Sequence, residues 1–240
     1  MNILAIDCSA GAASACVWQD GKVLGECYTN VKLTHSQTLM PMICGVLEYA
    51  KIPLEQVDLF AVTAGPGSFT GVRIGVASIK GMAFAANKPC AGVSSLEAMA
   101  ENLRVLDCTA CCVMDARCAQ VYNAVFSIRN GEIKRLTPDR AFSIEALAKE
   151  CASYPQPVVL VGDGAQLCAQ SAAFAQAGVH LAPEPIRFQR ASGAAECAAR
   201  AAKEGKLVSA RELMPIYLRP PQAQRSLKKR RAAEKQSLQT

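Results

Sequence analysis

Histidine is almost absent from this 240-residue chain, which holds only His35 and His180. The two lie far apart in the sequence, and neither has an identifiable acidic or nucleophilic partner. A metal site with two imidazole ligands or a Ser-His-Asp triad therefore lacks its usual components. The composition argues against a conventional hydrolase.

Long apolar runs are missing as well, since no stretch approaches the roughly 20 apolar residues that a membrane-spanning helix needs. The chain begins without a basic segment and reaches an acid at Asp7, so no signal peptide is predicted. Hydrophobic residues make up 51% and charged residues 19%, which is typical of a globular protein. We therefore expect a cytoplasmic protein with no membrane partner.

Cysteine, in contrast, is abundant, with 12 residues. Most stand in apolar runs. Six of them are predicted to be small buried side chains in a reducing compartment, namely Cys8, Cys16, Cys44, Cys90, Cys168 and Cys197. Cys108 and Cys111 have the spacing of a metal or redox pair, but no second pair or nearby histidine completes a site. Their apolar surroundings predict a buried strand.

The excess of positive charge is confined to the end of the chain. Residues 219–240 hold seven of the 26 basic side chains and one of the 20 acidic ones, which leaves 19 of each sign in residues 1–218. The body therefore offers no net field that would attract nucleic acid. Because residues 220–240 are polar, basic and poor in apolar side chains, they are predicted to form a flexible basic tail.

Several features of the first half recur in the second half. Residues 3–9 form an apolar run that ends in Asp7 and small residues, and residues 111–117 repeat this pattern around Asp115. A predicted hairpin follows each run, with Asp20-Gly21 at the first turn and Asn130-Gly131 at the second. A helix follows in each half, near 34–50 in the first and near 143–152 in the second. Each half then continues with a second buried strand, a glycine turn and a further helix.

This duplication predicts an α/β protein with the two-lobe fold of the actin-like superfamily, which is also called ASKHA or ribonuclease H-like. The first lobe is predicted to cover residues 1–104 and the second residues 105–191. A helix near 192–204, within the segment 192–218, is expected to return to the first lobe. The alternative is that hairpins and glycine turns recur by chance in an α/β protein.

The acids that end the repeated strands are candidates for nucleotide chemistry. In the actin-like plan, an acid and small residues at these places hold magnesium and phosphates between the lobes. Asp7 with Ser9 and Asp115 are the candidate cofactor-binding residues. However, Arg117 and Cys118 stand where a glycine-rich phosphate loop is expected, so the favoured interpretation is that Asp7 and Asp115 only cap strand ends and the site is vestigial.

The segment Gly65-Pro66-Gly67-Ser68-Phe69-Thr70-Gly71 follows a strand and opens a helix near 70–86, where free backbone N–H groups can receive an anion. One stripe of this helix is apolar and another is nearly free of side chains. Each interior glycine costs about 1 kcal/mol of helix stability relative to alanine, so the small stripe needs a reason. It packs either within the fold or against a second chain.

These motifs resemble the TsaB (YeaZ) family. The resemblance covers residues 1 to about 220 and rests on the glycine segment with Arg73, Ile74 and Gly75, on residues 3–9, 92–96 and 115–117, and on Pro215-Ile216-Tyr217-Leu218-Arg219. It implies a subunit for the synthesis of threonylcarbamoyladenosine at adenosine 37 of tRNA. It also implies a heterodimer with the transferase TsaD, a larger complex with the ATPase TsaE, and a homodimer when the chain is alone.

The resemblance further assigns a partner interface and removes a catalytic site. The implied interface residues are Leu39, Ile43, Val46, Gly65, Pro66, Gly67, Ser68, Phe69, Thr70, Gly71, Arg73, Ile74, Gly75, Ser78 and Gly81. Ser95 and Met99 stand where TsaD has two metal-binding histidines, so no catalytic or metal-binding residue is expected.

The resemblance requires no cofactor of this chain, although ATP or ADP at the complex interface is compatible with it. The basic tail is a candidate for an indirect contact with tRNA, and a solvated tail that only aids solubility is the equal alternative. The alternative function is an actin-like ATPase or small-molecule phosphotransferase that uses Asp7 and Asp115.

Overall fold

The computed structural model describes residues 1–31 and 33–220. Its first sheet has the spatial order β3-β2-β1-β4-β5. The strands are β1 (Asn2–Asp7), β2 (Ala13–Gln19), β3 (Lys22–Thr29), β4 (Leu59–Gly65) and β5 (Cys90–Ser94). The hairpin strands β2 and β3 continue antiparallel from β1, whereas β4 and β5 are parallel to it.

The second sheet has the order β11-β10-β6-β7-β8, and β9 pairs with β7 beside it. Its strands are β6 (Cys108–Asp115), β7 (Gln120–Arg129), β8 (Glu132–Arg135), β9 (Arg140–Ser143), β10 (Val158–Val161) and β11 (Val179–Leu181). If β6, β7, β8, β10 and β11 are matched to β1–β5, the two sheets have the same strand order. The predicted actin-like duplicated fold is confirmed, while the lobe boundaries at 1–104 and 105–191 stay a prediction.

Both hairpin turns are formed by the dipeptides that the sequence indicates. Asp20 and Gly21 have φ values of 47° and 91°, and Asn130 and Gly131 have φ values of 51° and 75°. Two consecutive positive φ angles define the turn that matches the twist of an antiparallel hairpin, and asparagine, aspartate and glycine tolerate them best. The turn chemistry therefore accounts for both hairpins.

Helices cover both faces of each sheet. They are α1 (His35–Ala50), α2 (Phe69–Ala86), α3 (Ser95–Ala100), α4 (Ile144–Cys151), α5 (Ala165–Ala169), α6 (Glu184–Arg187) and α7 (Ala191–Lys203). α1 and α2 share one core with the first sheet, and α7 packs on its opposite face. α4 and α5 pack on one face of the second sheet, and α3 packs on the other.

The helix that follows the glycine turn of the second half is short. α5 ends at Ala169, and a separate 3-10 turn covers Ala172–Phe174. Ser171 between them is extended, and its carbonyl oxygen accepts from the Phe174 N–H. Serine favours such turn and capping positions over helix interiors, which explains the break.

None of the helices in the described ranges is long and apolar enough to cross a membrane. The predicted flexible tail at 220–240 lies, beyond Pro220, outside the described residues.

Candidate functional site

The glycine segment forms the turn between β4 and α2, and it packs against the residues that follow β1. The N–H of Ser68 donates to the carbonyl oxygen of Ser9 at 2.6 Å. Gly67 leaves no room for a Cβ, which would touch the same carbonyl group. The Ser68 hydroxyl accepts from the Gly71 N–H and thereby caps α2. The segment therefore sets where α2 begins relative to β1.

Gly71 and Gly75, which were assigned to the partner interface, are packed inside the first lobe. A Cβ on Gly71 would collide with the carbonyl oxygen of Cys8, and one on Gly75 would lie 2.7 Å from the Cys8 thiol. Both glycines are buried. Of the two explanations for the small stripe, packing within the fold holds at these positions, because the missing side chains let α2 approach β1 closely.

The apolar residues that were assigned to the interface from α1 also belong to the core. Leu39, Ile43 and Val46 are almost completely buried between α1 and the first sheet. The amphipathic pattern finds the buried side of α1 correctly, but the buried side of a surface helix faces its own sheet. A partner chain would have to contact the opposite side.

The exposed sides of α1 and α2 hold a different set of residues. On α1, Met40 is 45% exposed and Tyr49 is 85% exposed; on α2, Phe84 is 79% exposed. We call this set, with Cys44, Thr70, Arg73, Ala77, Gly81 and Ala85, the α1–α2 outer surface. Gly81 is open, since no atom of the described residues lies within 4 Å of a Cβ built there. Cys44, which was predicted to be buried, is exposed on this surface.

Of the remaining interface candidates, Ile74 and Ser78 are half-buried, and Gly65 and Pro66 are buried. The Ser78 hydroxyl donates to the carbonyl oxygen of Ile74 at 2.9 Å. The predicted interface therefore divides into buried residues that shape the lobe and a smaller accessible group that contains Thr70, Arg73 and Gly81.

A cleft of about 650 Å³ lies between the two lobes. The first lobe contributes residues 9–11 and 66–70, and the second contributes residues 114–117, Tyr122 and Asp163. Residues 216–220 line its remaining side. The cleft is where the actin-like plan predicts a nucleotide, so the candidate acids can be judged by their position in it.

Asp7 is completely buried and does not line the cleft. Its Oδ1 accepts from the N–H and the hydroxyl of Ser9, at 2.8 and 2.9 Å, while its Oδ2 has no hydrogen-bond partner among residues 1–31 and 33–220. Burial raises the pKa of Asp7, although the hydrogen bonds from Ser9 oppose this shift. This geometry suits an acid that holds the turn after β1.

Asp115 does line the cleft, where it is paired with Arg117. Its Oδ1 accepts from the Arg117 N–H at 2.7 Å, and its Oδ2 lies 3.5 Å from the Arg117 guanidinium. Arg117, Cys118 and Ala119 all have positive φ values, between 54° and 65°. Such a left-handed turn costs about 1–2 kcal/mol per residue without glycine. Residues 117–119, which stand where a glycine-rich loop is expected, therefore form a strained turn, and Arg117 in this turn forms an ion pair with Asp115.

Asp163 is a cleft acid that the candidate sites above omit. It lies in the turn Gly162-Asp163-Gly164, which follows β10. This turn is the counterpart, in the second lobe, of the glycine turn after β4. Burial raises its pKa to about 6, while a 2.8 Å hydrogen bond from the Gln189 amide opposes the shift. The sequence signal was available, because an acid between two glycines follows a buried strand.

Ser95 and Met99, which the resemblance places where TsaD has two metal-binding histidines, lie in α3 and are completely buried. Met99 packs in the core of the second lobe, and the Ser95 hydroxyl has no hydrogen-bond partner. Within residues 1–31 and 33–220, no group of three or more His, Cys, Asp or Glu side chains is placed to hold a metal ion.

Comparisons with known proteins agree on one family. The family model for TsaD, the tRNA N6-adenosine threonylcarbamoyltransferase, matches residues 26–227. The tRNA threonylcarbamoyladenosine biosynthesis protein TsaB of Escherichia coli is 31% identical, over 91% of this chain and 95% of its own length. TsaB of Bacillus subtilis is 32% identical, over 70% of this chain and 73% of its own length.

Structural similarity gives the same answer over nearly the whole fold. YeaZ from Pseudomonas aeruginosa superimposes with a TM-score of 0.76 at 27% identity, covering 90% of this chain and all of the other. The chain belongs to the TsaB (YeaZ) family of tRNA threonylcarbamoyladenosine biosynthesis proteins.

Proposed function

We propose that this chain is a cytoplasmic, non-catalytic subunit that binds and activates a TsaD transferase, together with a TsaE ATPase. Its family supports a role in the synthesis of threonylcarbamoyladenosine. The states of Asp7 and Asp115 support the absence of catalysis, because Asp7 is sealed from the cleft and Asp115 is paired with Arg117. The buried Ser95 and Met99 supply no metal ligand of the kind that the transferase uses.

The observation that carries the proposal is the α1–α2 outer surface. Met40, Tyr49 and Phe84 are large apolar side chains that this surface leaves exposed. Large apolar side chains that stay exposed to solvent are candidates for an interface. Gly81 lies in the same helix with open space above it, so a second helix could approach closely. A related actin-like chain is the partner that we propose for this surface, and a second copy of this chain would occupy it when the partner is absent.

The pathway is tested by nucleoside mass spectrometry of bulk tRNA from cells depleted of the protein. We expect threonylcarbamoyladenosine to disappear and to return when the wild-type chain is expressed. We also expect it to return with Asp7→Asn, which keeps the shape of the buried acid. Undiminished modification in the depleted cells would overturn the proposal. Loss of modification with a folded Asp7→Asn variant would favour an ATPase or phosphotransferase.

The interface is tested with Gly81→Arg, measured by isothermal titration calorimetry against the purified transferase. The new side chain projects into open space, so the free chain should keep its fold, and arginine favours the helix by up to about 1 kcal/mol over glycine. We expect binding to weaken at least about 100-fold, as a hot-spot position would. Phe84→Glu should have a similar effect.

The matched control is Val105→Arg, because Val105 is 91% exposed and belongs to neither α1 nor α2 but to the connection between α3 and β6. It should leave the affinity unchanged. Equal binding by wild type, Gly81→Arg and Phe84→Glu would rule out the α1–α2 outer surface. Sedimentation velocity of the same variants without the partner tests whether a homodimer uses this surface.

Two further parts of the proposal concern ligands. ATP or ADP is proposed to bind at the interface with the transferase, and the isolated chain should therefore show no turnover of magnesium-ATP. The basic tail is proposed to add a tRNA contact that weakens with salt. Deletion of residues 222–240 should lower the affinity of the complex for tRNA at low salt, and an unchanged affinity would remove the tail from the proposal.

A further inference from the structure

Residues 211–219, which we call the C-terminal strap, run along α2. The ammonium group of Lys80 donates to the carbonyl oxygens of Arg211 and Leu213, at 3.0 and 2.9 Å. Further along, the N–H of Ile216 donates to the carbonyl oxygen of Ala64 at 2.7 Å. Gly65 has no room for a Cβ because the backbone of Ile216 occupies that space. The strap is thus fixed to the first lobe through its backbone.

A stack of three side chains fixes the strap next to the glycine segment. The rings of Tyr217 and Phe69 are stacked with centroids 4.6 Å apart. The guanidinium of Arg73 lies 4.0 Å from the centroid of the Phe69 ring, and its Nε donates to the Tyr217 hydroxyl at 2.9 Å. Aromatic stacking and a cation over a ring each add to the burial of these groups.

Two residues later, the strap reaches the second lobe. The guanidinium of Arg219 donates to the carbonyl oxygen of Ala116 at 2.8 Å. Ala116 immediately precedes the strained turn Arg117–Ala119. The N–H of Arg117 in this turn donates a hydrogen bond to the Asp115 carboxylate. Residues 216–220 line the cleft between these two attachment points. The strap therefore bridges the lobes across the opening of the cleft.

We propose that the C-terminal strap is a latch that holds the two lobes together across the cleft. Its Tyr217 end is attached to the glycine segment of the first lobe, and its Arg219 end to the turn after β6 of the second lobe. Because only Leu218 separates the two ends, neither can move far without pulling on the other. A ligand that enters the cleft has to displace the latch or pack against it. Opening of the lobes therefore requires release of at least one end.

In a latch, the loss of the contact at one end of the strap weakens the contact at the other end, and this coupling is reciprocal. Two independent contacts would show no such coupling. Hydrogen exchange of single amides in the isolated full-length chain measures it. Tyr217→Ala removes the stack in the first lobe, and we expect the amides of Ala116 and Gln120 in the second lobe to exchange faster. Arg219→Ala removes the contact with the second lobe, and we expect the Ile216 amide in the first lobe to exchange faster. Each rate should rise roughly five- to tenfold, as expected for the loss of one stabilising contact in a local opening.

Arg211→Ala is the matched control, because the strap uses only the carbonyl group of Arg211. It should leave all three amides unchanged. The exchange rates of amides in the centre of β6 report global unfolding. If Tyr217→Ala raises these rates too, the experiment is repeated with Tyr217→Phe, which removes only the hydroxyl group. If each substitution changes exchange only at its own end, the latch is refuted. The isolated chain is measured, so the result does not depend on binding to a transferase.

Discussion

At the residue scale, the glycines of α2 have two different environments. Gly75 lies against the Cys8 thiol and the Val62 side chain, whereas nothing lies within 4 Å of a Cβ on Gly81. Both belong to the same stripe in the sequence. The spacing of small residues predicts a close approach, but only the packed helix shows which neighbour approaches at each turn.

We expect Gly75→Ala to lower the free energy of unfolding by about 1–3 kcal/mol, as overpacking of a core does. The added Cβ would lie 2.7 Å from the Cys8 thiol and 3.2 Å from a Val62 methyl group. Gly81→Ala is the matched control and should raise the free energy of unfolding by up to about 1 kcal/mol, because alanine favours the helix. Urea unfolding of both variants measures the difference, and equal stabilities would contradict the assignment of Gly75 to the core.

Asp163 should make the stability of the protein depend on pH. Its pKa is raised from 3.8 to about 6 in the folded protein, so the folded state holds its proton more tightly than the unfolded state. Its contribution is fully present below pH 4 and is lost as the pH rises through 6. Ionisation in the buried site should cost up to about 3 kcal/mol by pH 7.

Asp163→Asn removes this charge and keeps the oxygen that accepts from Gln189. Relative to wild type, the variant should therefore gain stability between pH 4 and pH 7. Denaturant unfolding at several pH values measures the gain, and a difference that stays constant with pH would show that Asp163 ionises as it does in the unfolded chain.

At the scale of single elements, α3 and α7 are joined by a network of charged side chains. Arg200 on α7 contacts Glu97 on α3 and Glu101 just after it, and Glu97 also contacts Arg135 on β8. The carboxylate of Glu101 is only 5% exposed. Burial raises the pKa of Glu101, and Arg200 offsets part of that shift. The network connects the helix that returns to the first lobe with a strand of the second sheet.

Arg200→Ala should lower the free energy of unfolding by about 3 kcal/mol at neutral pH, because it leaves the buried Glu101 carboxylate without its closest partner. The loss should shrink in acid, where Glu101 takes up a proton. Lys206→Ala is the control, since its partner Glu204 is exposed and such pairs contribute less than about 1 kcal/mol. A loss from Arg200→Ala no larger than that of the control, measured by urea unfolding, would mean that the network does not stabilise the fold.

The bounds of α1 and α2 agree with the helices that the sequence predicts at 34–50 and 70–86, since α1 begins at His35 and α2 at Phe69. Ser68 caps α2 with its hydroxyl, whereas Thr34 occupies the N-cap of α1 without a capping side-chain bond. The short strands β9 and β11 had no comparable signal. Three or four residues are too few for alternation to be recognised, and their pairing with β7 and β10 comes from tertiary contacts.

At the scale of the whole molecule, the distribution of cysteine reports how the lobes pack. Nine of the 12 thiols are buried, and Cys27, Cys44 and Cys118 are exposed. Burial raises the pKa of Cys8 to about 12, which makes its thiolate scarce at neutral pH. The buried thiols should therefore be inert in the folded protein.

Titration with an aromatic disulfide reagent under native conditions should modify about three thiols quickly, because only three are exposed. All 12 should react in denaturant. Cys44→Ser should remove one fast-reacting thiol, and Cys16→Ser, at a buried position, should not change the fast count. Fast reaction of most of the thiols in the folded protein would contradict the packing of the two lobes.

The sequence by itself determined the local structure and the order of the strands and helices. Turn dipeptides, helix periodicity and buried apolar runs act over a few residues, so Asp20-Gly21, Asn130-Gly131 and the glycine segment could be interpreted without a fold. The repeated pattern also sufficed for the duplicated actin-like plan. Only the tertiary structure decided which side of α1 and α2 faces solvent, that Asp7 is sealed from the cleft, and that Arg219 reaches Ala116. These features depend on contacts between residues far apart in the chain, and local patterns carry no information about which distant surfaces meet.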